Sequence, residues 1–355
     1  RLINLRDSIW DTLRQGLSKW DANMYAGIID NGYVYNGNND IRQNIVFPYL
    51  FPAAARIVKN ALGLDAVWAG ALVNNLAFLV SLIFIHALSR EMTGDSVLSF
   101  VPVILLCIHP FGVFLVSAYS EGLFILFLSI SLYLLYRRKY WLYALCSGAL
   151  SAVRMVGVLA PVVLLYDYFI ISKRKVSARE VLKSAAMAAV SLWGIISFML
   201  FCCFKFNDAF AMIKNQHAWT PGNIKAAYVI KNILKPFASP DRFMEPEILG
   251  MGLAVITFIF SIVYLAAKRK NMERIGQILA TASLAAMFIP LVFYNKSPDI
   301  HMAMGRYTLP AFPVFILLCG RAKPEKLVCF SLWGAFSLFM LVTMSMRFAW
   351  GYEPY

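Results

Sequence analysis

Apolar runs of roughly twenty residues recur along the chain and are broken by short polar connections. That is the length an α-helix needs to cross about 30 Å of hydrocarbon. The runs predict spans over Ala66–Ser89, Ser96–Val116, Glu121–Tyr136, Trp141–Val153, Gly157–Ile171, Ser184–Phe204, Ile248–Ala267, Ile275–Tyr294, Tyr307–Cys319 and Leu327–Met346. The two runs between Trp141 and Ile171 are short and predict a tilted or re-entrant hairpin. Before the first run the pattern changes. Leu2, Leu5, Ile9, Leu13 and Leu17 recur at helical spacing, with Arg6, Arg14 and Lys19 on other faces. This predicts an amphipathic helix lying in the headgroup plane or packed on the bundle. The fold class expected is an all-α polytopic membrane protein, a multi-span bundle carrying amphipathic loop helices.

Composition agrees. Of 355 residues, 60% are hydrophobic and 15% are charged; the mean hydropathy is +0.65. A soluble domain carries about a quarter charged residues. The net charge of +14 is a topology signal rather than a nucleic-acid footprint, because its basic residues cluster in short connections. These are Arg137–Lys139, Lys173–Lys175 with Arg179 and Lys183, Lys268–Lys270 with Arg274, and Arg321 with Lys323 and Lys326. Short Lys/Arg-rich loops mark the cytoplasmic side, and threading the spans puts all these clusters on one face. The other face receives residues 1–65, the turn Ser117–Ser120, the long loop 205–247, the loop Asn295–Arg306 and the C-terminal tail. An extracytoplasmic segment 1–65 implies one more span before Arg1. No repeat or linker divides the chain, so residues 1–355 read as a single domain. The six cysteines all fall in apolar runs and read as small hydrophobes.

The candidate chemistry gathers on the non-cytoplasmic face. Asp21 stands beside Trp20, with Tyr25 and Tyr33 nearby. It could serve as a general base for an attacking hydroxyl or as a helix N-cap. Glu121 opens a span, where a carboxylate is functional or paired or is favoured by the helix dipole. Arg154 interrupts an apolar run and fits a phosphate or a carboxylate; the alternative is snorkelling to the interface. Arg306–Tyr307 and the preceding Ser297–His301 form another polar group, and the long loop offers Asp208, Lys214, Gln216, His217 and Trp219. No Asp-x-Asp pair, Gly-rich phosphate loop, metal-ligand cluster or serine elbow occurs. A cytoplasmic nucleotide-sugar domain or a metal-dependent hydrolase is therefore not expected.

Several of these stretches resemble the PIG-V family, which contains the second mannosyltransferase of GPI-anchor synthesis and its bacterial relatives. They are Trp20-Asp21-Ala22 with Asn31-Gly32-Tyr33 and Phe47-Pro48…Phe51-Pro52, and Ser117-Ala118-Tyr119-Ser120-Glu121. Ser151-Ala152-Val153-Arg154-Met155-Val156-Gly157, Phe206-Asn207-Asp208-Ala209-Phe210 with Gln216…Trp219, and Arg306-Tyr307 follow in order. Met155-Val156 stands where the family has Ser-Asn, and Ala209 where it has Pro. The resemblance implies a GT-C scaffold, a polyprenyl- or dolichyl-phosphate sugar donor, a lipid or glycan acceptor, an inverting single displacement, and no catalytic metal or other cofactor. It implies that mannose is the sugar and Asp21 the base, with Glu121 the next carboxylate to consider. Arg154 and Arg306 become donor-phosphate ligands, with His217 and Lys214 as further candidates, and Trp20, Tyr25, Gln216 and Tyr307 become substrate contacts. The compact loops favour a bacterial plasma membrane with an outward-facing site over an endoplasmic reticulum membrane with a lumenal one.

A transporter or flippase of a lipid-linked or anionic solute is the rival reading, with Arg154 and Glu121 lining a pathway. Such proteins commonly show internal repeats and broken helices in matching halves. No repeat is visible here, and the polar residues gather at one face rather than at midplane.

Overall fold

The computed structural model describes residues 9–219, 234, 238, 245–267, 273–293, 304–320 and 326–351. Leu2, Leu5 and Arg6, the Ser297–His301 group, Lys268–Lys270, Arg321, Lys323, the C-terminal tail and most of the loop beyond Trp219 lie outside the described residues. Among the described residues every regular element is helical. In chain order they are α1 (Ile9–Leu17), α2 (Asp21–Asn31), α3 (Leu50–Leu62), α4 (Ala66–Thr93), α5 (Val101–Cys107), α6 (Val113–Val116), α7 (Glu121–Tyr136), α8 (Tyr140–Val153) and α9 (Ala160–Leu165). Then follow α10 (Ala178–Val190), α11 (Trp193–Phe206), α12 (Ala211–Trp219), α13 (Pro246–Ala267), α14 (Arg274–Phe293), α15 (Met304–Tyr307), α16 (Pro313–Cys319) and α17 (Lys326–Ala349).

The predicted runs are helical, but several differ in length from full spans. Among the described residues, α4, α13, α14 and α17 each contain a stretch long and apolar enough to cross a bilayer, and α10 with α11 does so as a pair bent by 55°. The remaining predicted spans are shorter apolar helices or are broken. Proline accompanies three of these breaks, since it lacks the N–H and clashes with the preceding turn. Pro110 ends the α5 run, Pro161 opens α9, and Pro310 and Pro313 divide the last part of the predicted Tyr307–Cys319 span. The expected hairpin is present: α8 descends to Arg154, and the chain returns through residues 155–171 with Tyr143 Oη donating to Ala160 O at 2.8 Å.

The sixteen-residue α7 packs between α4 and α8 and carries a polar cluster at each end. At 1.5 Å per residue the two lie about 22 Å apart. At the C-terminal end, Asp167 receives a two-pronged contact from Arg274, Nε to Oδ1 at 2.9 Å and Nη2 to Oδ2 at 2.7 Å. The same guanidinium donates to Tyr136 O at 2.5 Å and Leu135 O at 2.7 Å, carbonyls in the last turn of α7. Arg137 and Arg174 lie at this end too, against Glu91 and over the Tyr140 and Tyr168 rings respectively.

The segment before α4 covers the opposite end. Asp65 caps α4, accepting from Val67 N at 2.8 Å and Trp68 N at 3.2 Å. Helix α1 buries no residue, sets Trp10 edge-on to Trp68 at 5.9 Å and leaves Ile9 72% exposed. The described part of this stretch thus packs on the bundle, as the second alternative expects, with Ile9, Trp10 and Leu13 left exposed.

Candidate functional site

Four charged side chains from distant parts of the chain meet at the N-terminal end of α7. Arg154 Nη1 contacts Glu121 Oε1 directly. Arg306 Nη1 pairs with Asp21 Oδ2 at 2.5 Å, and its Nε stands 3.7 Å from Glu121 Oε1. Glu121 thus lies between two guanidiniums, and Arg306 lies between two carboxylates. Tyr307 is stacked beneath both arginines, 4.9 Å from Arg154 Cζ and 5.2 Å from Arg306 Cζ, and Tyr119 faces Arg306 at 5.7 Å. Electron-rich ring faces favour such cations where water is scarce.

Local structure explains the convergence. Arg154 closes α8 in extended conformation at the hairpin tip, where Gly157 lets the returning chain pass. A Cβ on Gly157 would lie 2.3 Å from the Leu150 carbonyl carbon. Glu121 is the first residue of α7 and follows the turn Ser117–Ser120. Three hydrogen bonds tie that turn to the first segment: Ala118 N to Leu17 O at 3.3 Å, Tyr119 Oη to Lys19 O at 3.0 Å, and Tyr25 Oη with Ser120 Oγ at 2.9 Å. They hold Asp21 over Glu121. Trp20, at the cap position of α2, adopts φ 56° and ψ −121° without a capping bond. A bulky residue in that region costs about 1–3 kcal/mol. Asp21 itself is inside the first turn of α2, so the N-cap alternative is corrected: its carboxylate pairs with Arg306 rather than with the helix start.

Burial divides the two carboxylates. The Glu121 side chain is fully buried, whereas that of Asp21 is 21% exposed. Among the described residues, Glu121 Oε2 and Arg306 Nε have no hydrogen-bond partner. Burial also pushes the Tyr25 phenol well above its ordinary range, so it acts as a neutral hydrogen-bond group toward Ser120.

The other sequence candidates lie elsewhere. Lys214 pairs with Asp208 at 2.8 Å, which holds that carboxyl below its usual range and commits the lysine. His217 and Gln216 lie on α12, with His217 exposed. That helix docks on the loop before α3, where Trp219 Nε1 donates to Gln43 O at 3.1 Å and Asn215 Nδ2 to Ile41 O at 2.9 Å. A relay of edge-on rings then links it to the charged cluster, Trp219 to Phe47 at 5.3 Å and Phe47 to Tyr25 at 5.0 Å. The sequence reading missed Asn74, which hydrogen-bonds the turn before Glu121, and the Asp167–Arg274 pair. The available signal was a polar or charged residue inside an apolar run.

The family model for mannosyltransferase (PIG-V) matches residues 3–231, which include Asp21, Glu121 and Arg154. The chain belongs to the PIG-V family. It is 28% identical over 159 residues to human GPI alpha-1,6-mannosyltransferase 2, covering 43% of this chain and 32% of that protein. It is 32% identical over 136 residues to GPI mannosyltransferase 2 of Chaetomium globosum, covering 35% and 28%. The matches thus span about a third of the length of these relatives. A solved structure of ArnT from Cupriavidus metallidurans bound to undecaprenyl phosphate superposes with a TM-score of 0.56 at 15% identity, covering 96% of this chain and 66% of that one. The PIG-V chain therefore has the GT-C fold and is an integral membrane protein.

Proposed function

We propose that this protein is a glycosyltransferase that moves mannose from a polyprenyl- or dolichyl-phosphate donor to a lipid or cell-envelope glycan, inverting the anomeric centre. The observation that carries this reading is the meeting of Asp21, Glu121, Arg154 and Arg306 at one end of the bundle. Family membership supports the sugar, and the undecaprenyl phosphate held by the fold relative supports the donor class.

In this mechanism the acceptor hydroxyl oxygen attacks the anomeric carbon while Asp21 takes its proton. The bond from that carbon to the phosphate oxygen breaks, and the electron pair leaves with the polyprenyl phosphate. Arg154 and Arg306 stabilise the departing charge. A phosphate that engages Arg306 also draws it from Asp21, which frees the part-exposed carboxylate for the acceptor. Glu121, being fully buried, keeps the two guanidiniums together instead of meeting the acceptor.

The direct test incubates purified protein with polyprenyl-phosphate-mannose and a membrane lipid extract. A new mannosylated lipid supports the reading; its absence, with donor intact, opposes it. Arg154→Lys and Arg306→Lys are expected to fold and to weaken donor use by about tenfold or more, because an ammonium cannot replace a planar fork. Wild-type donor kinetics in both variants would move the phosphate elsewhere.

The site is proposed to face outward across a bacterial plasma membrane, with the basic end of α7 in the cytoplasm. Asn38→Cys is then labelled by an impermeant thiol reagent from outside, and Lys173→Cys only after the cytoplasmic side is opened. Labelling of Asn38→Cys from the cytoplasmic side alone would invert the topology.

A further inference from the structure

Asn74 lies inside α4, fully buried, where that helix crosses α7. Its amide nitrogen donates to Phe114 O at 2.8 Å and Ser117 O at 2.9 Å, and its oxygen accepts from Gly122 N at 2.6 Å. Both amide hydrogens are used, and the oxygen is engaged. All three partners are backbone groups in the stretch that delivers Glu121. Two precede it, and the third belongs to the very next residue. The approach is so close that a Cβ on Gly122 would stand 2.3 Å from Asn74 O and 2.7 Å from its side-chain oxygen.

A polar side chain within a membrane helix is costly and tends to be functional or paired. An apolar residue would serve helix packing at least as well, so packing alone does not explain an amide here. What the amide adds is direction. The turn Ser117–Ser120 has no regular ladder to fix it, and Asn74 bonds the backbone on both sides of it. Across the turn, Tyr25 and Tyr119 attach the segment bearing Asp21. Both carboxylates of the charged cluster therefore take their place from a stretch of backbone that Asn74 holds.

We propose that Asn74 is a positioning residue for sugar transfer. It fixes the Ser117–Gly122 backbone so that the buried Glu121 carboxylate keeps Arg154 and Arg306 where the donor phosphate binds. This rests on the donor reading given above. Asn74 touches neither substrate, and its effect is transmitted through Glu121.

The test compares wild type, Asn74→Ala, Asn74→Thr and Asn75→Ala, using polyprenyl-phosphate-mannose as donor and a membrane lipid extract as acceptor. Asn74→Thr is the variant designed to fold, because a helical threonine can satisfy its hydroxyl on the carbonyl four residues back while leaving the turn unheld. Asn75 is the control: its amide also reaches the edge of the turn, at Val116 O 2.8 Å, but makes no bond next to Glu121. Both Asn74 variants are expected to raise the donor KM about tenfold, the order expected when binding groups lose their fixed geometry. The acceptor KM should be unchanged, and Asn75→Ala should match wild type even if its melting temperature falls as far. A merely structural role would lower melting temperature without this separation between donor and acceptor.

A folded Asn74→Thr enzyme with unchanged donor KM overturns the proposal. So does Asn75→Ala raising donor KM equally, and so does failure of both Asn74 variants to fold, which would make Asn74 a folding residue. Wild-type protein that transfers no sugar overturns the donor reading and this inference with it. Active wild type with an unaffected Asn74→Thr overturns this inference alone.

Discussion

An Asp21→Asn enzyme is expected to fold, bind donor and transfer sugar at least about a hundredfold more slowly than wild type, the lower end of what a general base contributes. Asparagine keeps the size of the side chain and can still accept a hydrogen bond from Arg306, but it cannot take a proton. The structure sharpens the comparison. Asp21 lies in the first turn of α2, after the cap position, and its carboxylate pairs with Arg306. It is also the carboxylate with access: its side chain is 21% exposed, while that of Glu121 is fully buried. Single-turnover transfer with saturating donor, alongside a melting curve, checks both halves of the expectation. Near-normal transfer would remove Asp21 from the mechanism and bring Glu121 forward as the group to test.

Asp167→Ala is expected to behave in the opposite way, losing stability by about 3–5 kcal/mol, as when one partner of a buried pair is removed, with donor KM unchanged in the protein that remains folded. The Asp167 side chain is fully buried, and its partner Arg274 is 15% exposed. Among the described residues, Arg274 without the carboxylate keeps the Tyr136 and Leu135 carbonyls, neither of which neutralises its charge. This clamp joins the end of α7 to the start of α14 and to the helical turn 166–171, at the far end of the bundle from the candidate site. Thermal unfolding in detergent reads the loss. A variant that melts with wild type would show that the ion pair contributes no net stability, its attraction being offset by desolvation.

The site was partly legible because its residues break a rule of their surroundings. Arg154 and Glu121 stand out in apolar runs, and Asp21 among interfacial aromatics, whatever the fold. Their pairing was not legible. Arg154 meets Glu121 across thirty-three residues of chain, and Arg306 reaches Asp21 from the other end of the sequence. Lys214 shows the converse. As a residue type it suited a phosphate as well as Arg154 does, but a carboxylate six residues away, Asp208, holds it. Asn74 and Asp167 were hidden for another reason. A single polar residue in a hydrophobic run leaves the average of the run almost unchanged, and only its neighbours across the bundle reveal what it holds.

The sequence by itself determined that the chain is helical and lives in a membrane, because the bilayer demands long apolar runs and internally satisfied backbone. It also determined which end of the bundle is basic. Tertiary structure decided which spans are full length, that Asp21 is not a cap, which carboxylate is exposed, and which arginine each one meets. Periodicity and propensity act within a few residues, so they register in local sequence. Ion pairing depends on distances between helix ends, and those are set only when α4, α7 and α8 pack and the turn before Glu121 is held from both sides.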